Sequence, residues 1–230
     1  MLFRQQSIWL PRLWLVLLFL IMSAVAIFFG LKNLAHYLAL TEPKNGDYLI
    51  VEGWIDESNL NKAFSVFVNG QYQYLITTGG LDQHCRRGSY AEKSAGYFIS
   101  KGLPAEKVIA IPTPESAQAR TFLSAVMVRE WLHERSIDNV IIDVFTEGVH
   151  ARRTSYLYRL AFRPNVDVGI YASGPLKYEL SRWWETSEGA KSTLTELFGY
   201  IWTILFFESG ELKSHNEKWG SMSPSRKNQV

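Results

Sequence analysis

The sequence predicts an α/β protein: a Rossmann-like three-layer αβα sandwich with a mostly parallel sheet, preceded by one transmembrane helix. Strand-like and helix-like segments alternate between residues 47 and 171, a pattern typical of parallel strands joined by helical crossovers. The preceding run Leu13–Leu31 carries no charged side chain, which is typical of a bilayer span. These two observations divide the chain into an anchor and a folded domain.

The anchor is predicted from the length of the apolar run. At a rise of about 1.5 Å per residue, a helix over Leu13–Leu31 is about 28 Å long, close to the thickness of a bilayer core. Trp9 and Trp14 stand at its border, where tryptophan favours the headgroup zone. A cleaved signal peptide is the alternative, with Ala24-Val25-Ala26 as its cleavage site. We favour the anchor because the apolar run continues past that site.

Charge on either side of the run predicts its orientation. Arg4 and Arg12 precede it, Lys32 follows it, and the first acidic residue after it is Glu42. Positive charge concentrates on the cytoplasmic side of a span. We therefore expect a single-pass plasma-membrane protein with a cytoplasmic N-terminus and its domain on the outer, periplasmic side. The lipid bilayer is then a partner through Leu13–Leu31.

The remaining boundaries follow from local pattern. The predicted segments are a cytoplasmic N-terminus 1–12, a transmembrane helix 13–31, a linker 32–46, an α/β domain 47–208 and a disordered tail 209–230. The predicted strands are 47–51, 74–77, 108–111, 139–145 and 167–171. The predicted helices are 59–69, 89–101, 117–134, 150–161 and 193–207. The uncharged stretch 197–207 is too short to span a bilayer, so we expect a helix packed on the sheet that can touch the membrane surface.

Composition narrows the function. The formal net charge is only +2, so the sequence offers no strong basic field for nucleic acid. The single cysteine, Cys85, cannot form an internal disulfide and has no neighbouring Cys or His cluster, so no metal site is predicted. No cofactor can be assigned from the sequence.

Polar loops follow the first four predicted strands and would meet at one edge of a parallel sheet. The candidate residues in them are Glu52, Gly53, Gly79, Gly80, Glu115, Ser116, Thr121, His150 and Arg153. Several have purely structural explanations: paired glycines make turns, and Ser89 with Glu92 fits a helix capping box. Glu115 is expected in the first turn of a helix, where a carboxylate favours the helix dipole.

The segment around His150 favours a functional explanation. His150 and Arg153 are three residues apart at a predicted helix start and so share a face. Two arginines in a first turn, Arg152 and Arg153, oppose the helix dipole unless an anion or a carboxylate compensates them. Glu147 is one possible compensating partner within the protein.

At these residues the sequence resembles the SanA/YdcF/ElyC-like family of bacterial envelope proteins, over roughly 47–171. The matching marks are Gly53, Thr78-Gly79-Gly80, Ser89-x-x-Glu92, Gly102-Leu103-Pro104, Glu115-Ser116 with Thr121, and His150-x-x-Arg153. The chain departs from the commoner family pattern at Glu52-Gly53-Trp54 and at Glu147-Gly148-Val149. The resemblance implies a Rossmann-like fold, often behind a membrane helix, and a role in cell-envelope integrity.

Three hypotheses remain open. The first is an enzyme, a hydrolase or transferase acting on a phosphorylated cell-wall (peptidoglycan) precursor or lipid carrier. In it His150 and Glu115 are catalytic, and the ligand-binding residues are Glu52, Gly53, Gly79, Gly80, Glu92, Ser116, Thr121 and Arg153. The second is a non-catalytic ligand-binding or regulatory module of the envelope, since no nucleophile elbow or P-loop is present. The third, a nucleotide-type cofactor site, rests on the fold alone.

Overall fold

The structure, a computed structural model, describes residues 12–82, 88–115, 119–137, 139–163 and 166–220. The chain divides into two compact units, Met1–Leu34 and Ala35–Val230. The first contains one long helix, α1 (Leu13–Lys32), none of whose residues is buried. Within the described residues it is the one helix long and apolar enough to cross a membrane. A signal sequence meets the same criterion, so orientation and retention of the helix stay predictions.

The second unit is built on a five-stranded parallel sheet. Its strands are β1 (Tyr48–Glu52), β2 (Tyr74–Gly79), β3 (Val108–Pro112), β4 (Ile141–Glu147) and β5 (Asp167–Ser173). Their order is β3-β2-β1-β4-β5, and every pairing is parallel. The predicted α/β class and parallel sheet are confirmed, and the order is compatible with a Rossmann-like arrangement.

Helices cover both faces of this sheet. They are α2 (Leu34–Leu38), α3 (Glu57–Asn69), α4 (Tyr90–Ser100), α5 (Arg120–Glu134), α6 (Ala151–Ala161), α7 (Ser187–Phe206) and α8 (His215–Trp219). Successive side chains of a strand point to opposite faces. In β1, Ile50 therefore joins the core formed with α5 and α6, while Leu49 and Val51 join the core formed with α3 and α4. Burial on both faces explains the continuous apolar strands.

The segment predicted as a linker, 32–46, is largely part of the folded domain. Ala35 and Leu38 of α2 are fully buried. The buried carboxylate of Asp143 in β4 accepts hydrogen bonds from the backbone N–H of Lys44 (2.7 Å) and of Gly46 (2.9 Å). A buried carboxylate needs such donors, so it fixes this segment against the sheet. The polar composition of this segment predicts a spacer, because nothing in the local sequence shows that Asp143 of β4 binds it.

The prediction that residues 209–230 form a disordered tail is wrong for residues 215–219. Residues 215–219 form α8, and Glu217 is 2% exposed. Its carboxylate receives two hydrogen bonds from the Arg129 guanidinium of α5, at 2.6 and 2.7 Å. A bidentate pair of this kind gives both geometry and energy. Residues 221–230 of the predicted tail lie outside the described part of the chain.

Two helix boundaries differ from the predictions in ways that affect the site. Helix α5 begins at Arg120 rather than at residue 117, so Glu115 does not lie in its first turn. Helix α7 begins at Ser187, six residues earlier than predicted, with the Thr186 side chain as its cap. Because α7 starts earlier, Glu196 lies in the middle of the helix and not in its first turn. A 3₁₀ helix, Leu180–Glu185, precedes it.

Candidate functional site

A cavity of about 430 Å³ lies at the carboxyl ends of the strands. It opens where the strand order reverses, between β1 and β4, the position at which parallel sheets of this kind bind ligands. Its described lining residues are Glu52, Trp54, Thr78, Gly79, Gly80, Tyr90, Thr113, Arg120, Thr121, Ser124, His150, Arg153 and Glu196. Strands β1 and β2 contribute their last residues to this wall, whereas β3 and β4 contribute through Thr113 and His150, which follow them.

Glu52 forms the floor of the cavity. It is the last residue of β1, only 2% exposed, and accepts a hydrogen bond from the Thr146 hydroxyl of β4. Its Oε2 lies 3.7 Å from His150 Nε2. The fully buried Tyr158 hydroxyl lies beside Glu52 and Thr78, and burial first, then the Glu52 charge, raises the pKa of Tyr158. A buried carboxylate facing an imidazole can stabilise that ring when it becomes protonated.

His150 is held from its other side by α7. Its Nδ1 lies 3.1 Å from Glu196 Oε1, and Arg153 binds the same carboxylate through Nε (2.9 Å) and a terminal nitrogen (3.0 Å). The terminal nitrogen is also 3.1 Å from Nδ1. Because the ionised Glu196 carboxylate only accepts, we assign the proton of neutral His150 to Nδ1, which donates to Glu196; the Arg153 terminal nitrogen then donates to Glu196 and not to Nδ1. This tautomer leaves Nε2 as an acceptor toward the cavity.

Glu196 remains ionised over a wide pH range. Burial opposes its charge, but the hydrogen bonds and positive charges of His150 and Arg153 outweigh burial and lower its pKa to about 2. The carboxylate therefore keeps both donors in place at neutral pH. On the cavity side, Nε2 lies 3.3 Å from the Thr121 hydroxyl. The Trp54 ring meets the imidazole edge to face, with centroids 5.3 Å apart.

Glycine is required where β2 ends because helix α4 approaches closely. Gly79 has φ +143°, and a Cβ there would lie 2.8 Å from the Tyr90 Cβ. Its neighbour Gly80 lines the cavity, and the Gly80 backbone N–H has no backbone acceptor among the described residues. An N–H that is free in this way can bind an anion.

Two further groups at the cavity lack partners in the described part of the chain. Arg120, the first residue of α5, lines the cavity and makes no ion pair there. The Thr78 hydroxyl is 1% exposed and makes no hydrogen bond of good geometry. Buried hydroxyls are normally satisfied, so this one can bind either the neighbouring Tyr158 hydroxyl or a ligand or water in the cavity. Arg120, which has no ion pair with the described residues and lines the same cavity, favours an anionic ligand.

Six of the predicted site residues line this cavity together: Glu52, Gly79, Gly80, Thr121, His150 and Arg153. Ser116 lies outside the described residues. The other three lie elsewhere. Glu115 is exposed and away from the cavity lining, since α5 begins five residues after it.

Gly53 and Glu92 have structural roles instead. A Cβ on Gly53 would lie 2.5 Å from both the Tyr90 carbonyl oxygen and Ser94 Oγ, so this glycine lets α4 pack against the end of β1. Glu92 closes the capping box of α4: its carboxylate accepts hydrogen bonds from the Ser89 backbone and hydroxyl, and these lower its pKa. Neither residue is part of the cavity lining, and ligand-binding roles for both stay predictions.

Several cavity residues were not predicted as site residues, above all Glu196, Arg120 and Trp54. Glu196 lies more than forty positions beyond His150, on a helix whose rotation the sequence does not specify. One signal was present: Glu196 is the one charged residue of the predicted helix 193–207, and a carboxylate among apolar residues needs a partner when it is buried. Trp54 departs from the small-residue turn that the family resemblance implies at this place.

No group of three or more His, Cys, Asp or Glu side chains in the described ranges is arranged to hold a metal ion. Comparisons of the chain with protein-family models, with curated proteins and with solved structures find no match in any of the three. The resemblance to the SanA/YdcF/ElyC-like family therefore rests on the motifs themselves.

Proposed function

We propose that the second unit binds a phosphorylated ligand in this cavity and that His150 acts on it as a general acid or base. The observation that carries the proposal is an imidazole that lies between two carboxylates, Glu52 and Glu196, in a cavity also lined by Arg120, which has no ion pair with the described residues. Chemistry of this type needs an oriented proton carrier and a cation for the charge of the ligand. Both stand around one open cavity.

The residues suggest how such a reaction would run. Arg120 and the Gly80 N–H hold the phosphoryl oxygens. His150 Nε2 accepts the proton of an attacking water or alcohol as its oxygen bonds to phosphorus. The bond from phosphorus to the leaving oxygen breaks, and that oxygen takes a proton from solvent at the cavity mouth. Glu52, 3.7 Å from Nε2, stabilises the imidazolium that forms.

We propose the cell envelope as the place of action, with α1 as a single-pass plasma-membrane anchor and the second unit on the periplasmic side. The apolar length of α1 and the positive charge before it support the anchor. The family resemblance supports a phosphorylated cell-wall precursor or lipid carrier as the ligand. A Rossmann-like sandwich is the finer fold assignment that we propose with it.

A non-catalytic ligand-binding or regulatory module is the second candidate. It is favoured by one observation: Arg153 is already neutralised by two hydrogen bonds to Glu196, so part of the positive charge is satisfied without a ligand. Under this proposal the cavity binds the same anion and no bond in it changes.

Turnover distinguishes the two candidates. The full chain in detergent is incubated with isoprenyl phosphate, isoprenyl diphosphate and simple phosphate esters, and products are measured by mass spectrometry. We expect turnover that falls by about 100-fold in His150→Gln, the typical share of one acid–base group. The matched control is His133→Gln, an exposed histidine on α5. Equal turnover by His150→Gln and the native chain contradicts the catalytic role. Saturable binding without turnover by the native chain supports the second candidate, the non-catalytic module.

A further inference from the structure

Helix α7 has two contrasting faces. Its inward face carries small and polar residues: Gly189, Thr193 and Thr203 are buried, and Glu196 reaches the cavity. Its outward face carries large apolar residues that are exposed, at the helical spacing of three, four and seven. They are Leu194, Phe198, Ile201, Trp202, Leu205 and Phe206, which together are named the outer face of α7.

The polarity of this helix is inverted relative to a helix in water. A helix on the surface of a globular protein turns its apolar stripe to the core and its polar side to solvent. Here Phe198 is 67% exposed and Leu205 is 65% exposed, while Thr193 and Thr203 are buried. No charged residue occurs from Leu197 to Phe207. A contiguous apolar surface of this kind indicates contact with another apolar body.

The path of the chain indicates which body that is. Helix α1 ends at Lys32, and the second unit begins at Ala35, so the tether between them is very short. The chain enters the second unit through α2, and Tyr37 of α2 contacts Tyr200 of α7. The Arg152 guanidinium stacks on the Tyr37 ring at 3.7 Å. The chain therefore enters the second unit close to α7.

We propose that the outer face of α7 lies in the interfacial layer of the bilayer that α1 enters. The residue types fit: Trp202 and Tyr37 are amphipathic rings that favour the headgroup zone, and Phe198, Leu205 and Phe206 supply apolar area for the acyl boundary. Arg152 and Lys32 supply positive charge near Tyr37 and at the end of α1 for lipid phosphates. If the outer face of α7 bound a second copy of the chain or a soluble protein, the chain would not need to enter the second unit beside that face.

The contact has a consequence for the cavity. Glu196 and the outer face lie on opposite sides of one helix, and a helix is about 10 Å across. The cavity thus stands about one helix diameter from the lipid surface. This inference concerns the lipid contact alone, and it holds whether or not His150 is catalytic.

Fluorescence quenching in liposomes tests the proposal. In full-length chains carrying Cys85→Ser, a single cysteine is introduced as Phe198→Cys or Leu205→Cys and labelled with an environment-sensitive dye. The matched control is Val68→Cys, an apolar helical residue on α3 that is 55% exposed. We expect acyl-chain spin labels to quench the α7 probes about threefold more than the control, and aqueous iodide to quench them less.

Two results overturn the proposal. In the first, the Leu205 probe is quenched by iodide as strongly as the Val68 probe and is unaffected by the spin-labelled lipid. In the second, the α7 probes are protected from both quenchers, which shows that protein covers the face. Circular dichroism of each labelled chain confirms that the fold is retained, and both positions are exposed, so loss of folding is not expected.

Discussion

Replacement of Glu196 by glutamine removes the charge that holds His150 and Arg153 while keeping the shape of the side chain. The pKa of Glu196 lies at about 2 instead of 4.5. Each tenfold change in proton affinity corresponds to about 1.4 kcal/mol, so its partners stabilise the ionised form by about 3 kcal/mol. The side chain is only 17% exposed, so solvent screens this interaction little. We expect Glu196→Gln to lower the free energy of unfolding by about that amount at pH 7.

The sign of the pH dependence follows from the depressed pKa. Stability from this carboxylate is present in full above pH 4.5 and is lost as the pH falls toward about 2. The difference in free energy of unfolding between the native chain and Glu196→Gln should therefore shrink to about 1 kcal/mol near pH 3. Thermal unfolding of the full chain in detergent, followed by circular dichroism, measures it. At pH 7 the midpoint should fall by about 6–12 °C for a domain of this size.

A matched control separates this effect from the loss of any surface carboxylate. Glu185→Gln breaks an exposed ion pair with Arg182, in which the glutamate side chain is 43% exposed. Exposed ion pairs contribute at most about 1 kcal/mol, so Glu185→Gln should shift the unfolding midpoint by less than a third of the shift expected for Glu196→Gln. The reasoning is refuted if Glu196→Gln unfolds at the midpoint of the native chain, or if the difference between them is the same at pH 7 and pH 3.

Three further predictions use other positions. Gly53→Ala should lower stability by about 1–3 kcal/mol, measured by thermal unfolding, because its Cβ would meet the Tyr90 carbonyl oxygen at 2.5 Å; an unchanged midpoint contradicts the tight packing. Glu217→Gln should lower the free energy of unfolding by about 3–5 kcal/mol, because the mostly buried Arg129 loses its anionic partner. If trypsin still fails to cleave the C-terminal segment of this variant, the ion pair does not hold that segment in place. Thr78→Val should leave the midpoint unchanged and weaken phosphate binding by about tenfold in a calorimetric titration, whereas undiminished binding would show that this hydroxyl faces no ligand.

The sequence was sufficient for the layered fold because its signals are local. Each strand is a short apolar run, and each helix shows its period or its cap, as in the capping box of Ser89 and Glu92. The parallel order then follows from alternation of the two element types. The pairing of α8 with α5 through Glu217 and Arg129 depends on residues 88 positions apart, so no local pattern reveals it.

The site was predicted as far as strand ends determine it. Glu52 ends β1, Gly80 follows β2, and His150 ends the 3₁₀ turn after β4; parallel strands bring such positions to one edge. Glu196 required the rotation and the start of α7, which depend on tertiary packing. Glu115 was predicted at the site because it follows the third strand, but its side chain is exposed and does not line the cavity.

Binding of a phosphorylated ligand to the cavity is the central claim, and a phosphorus NMR titration of a short-chain isoprenyl phosphate with the full chain in detergent tests it most directly. We expect saturable binding that inorganic phosphate competes away, and an affinity lowered by about tenfold in Arg120→Gln, which removes the unpaired cation at the cavity. Arg163→Gln, at an exposed arginine after α6 that does not line the cavity, is the control and should bind like the native chain. An absence of binding, or equal binding by the Arg120→Gln and native chains, would contradict the claim.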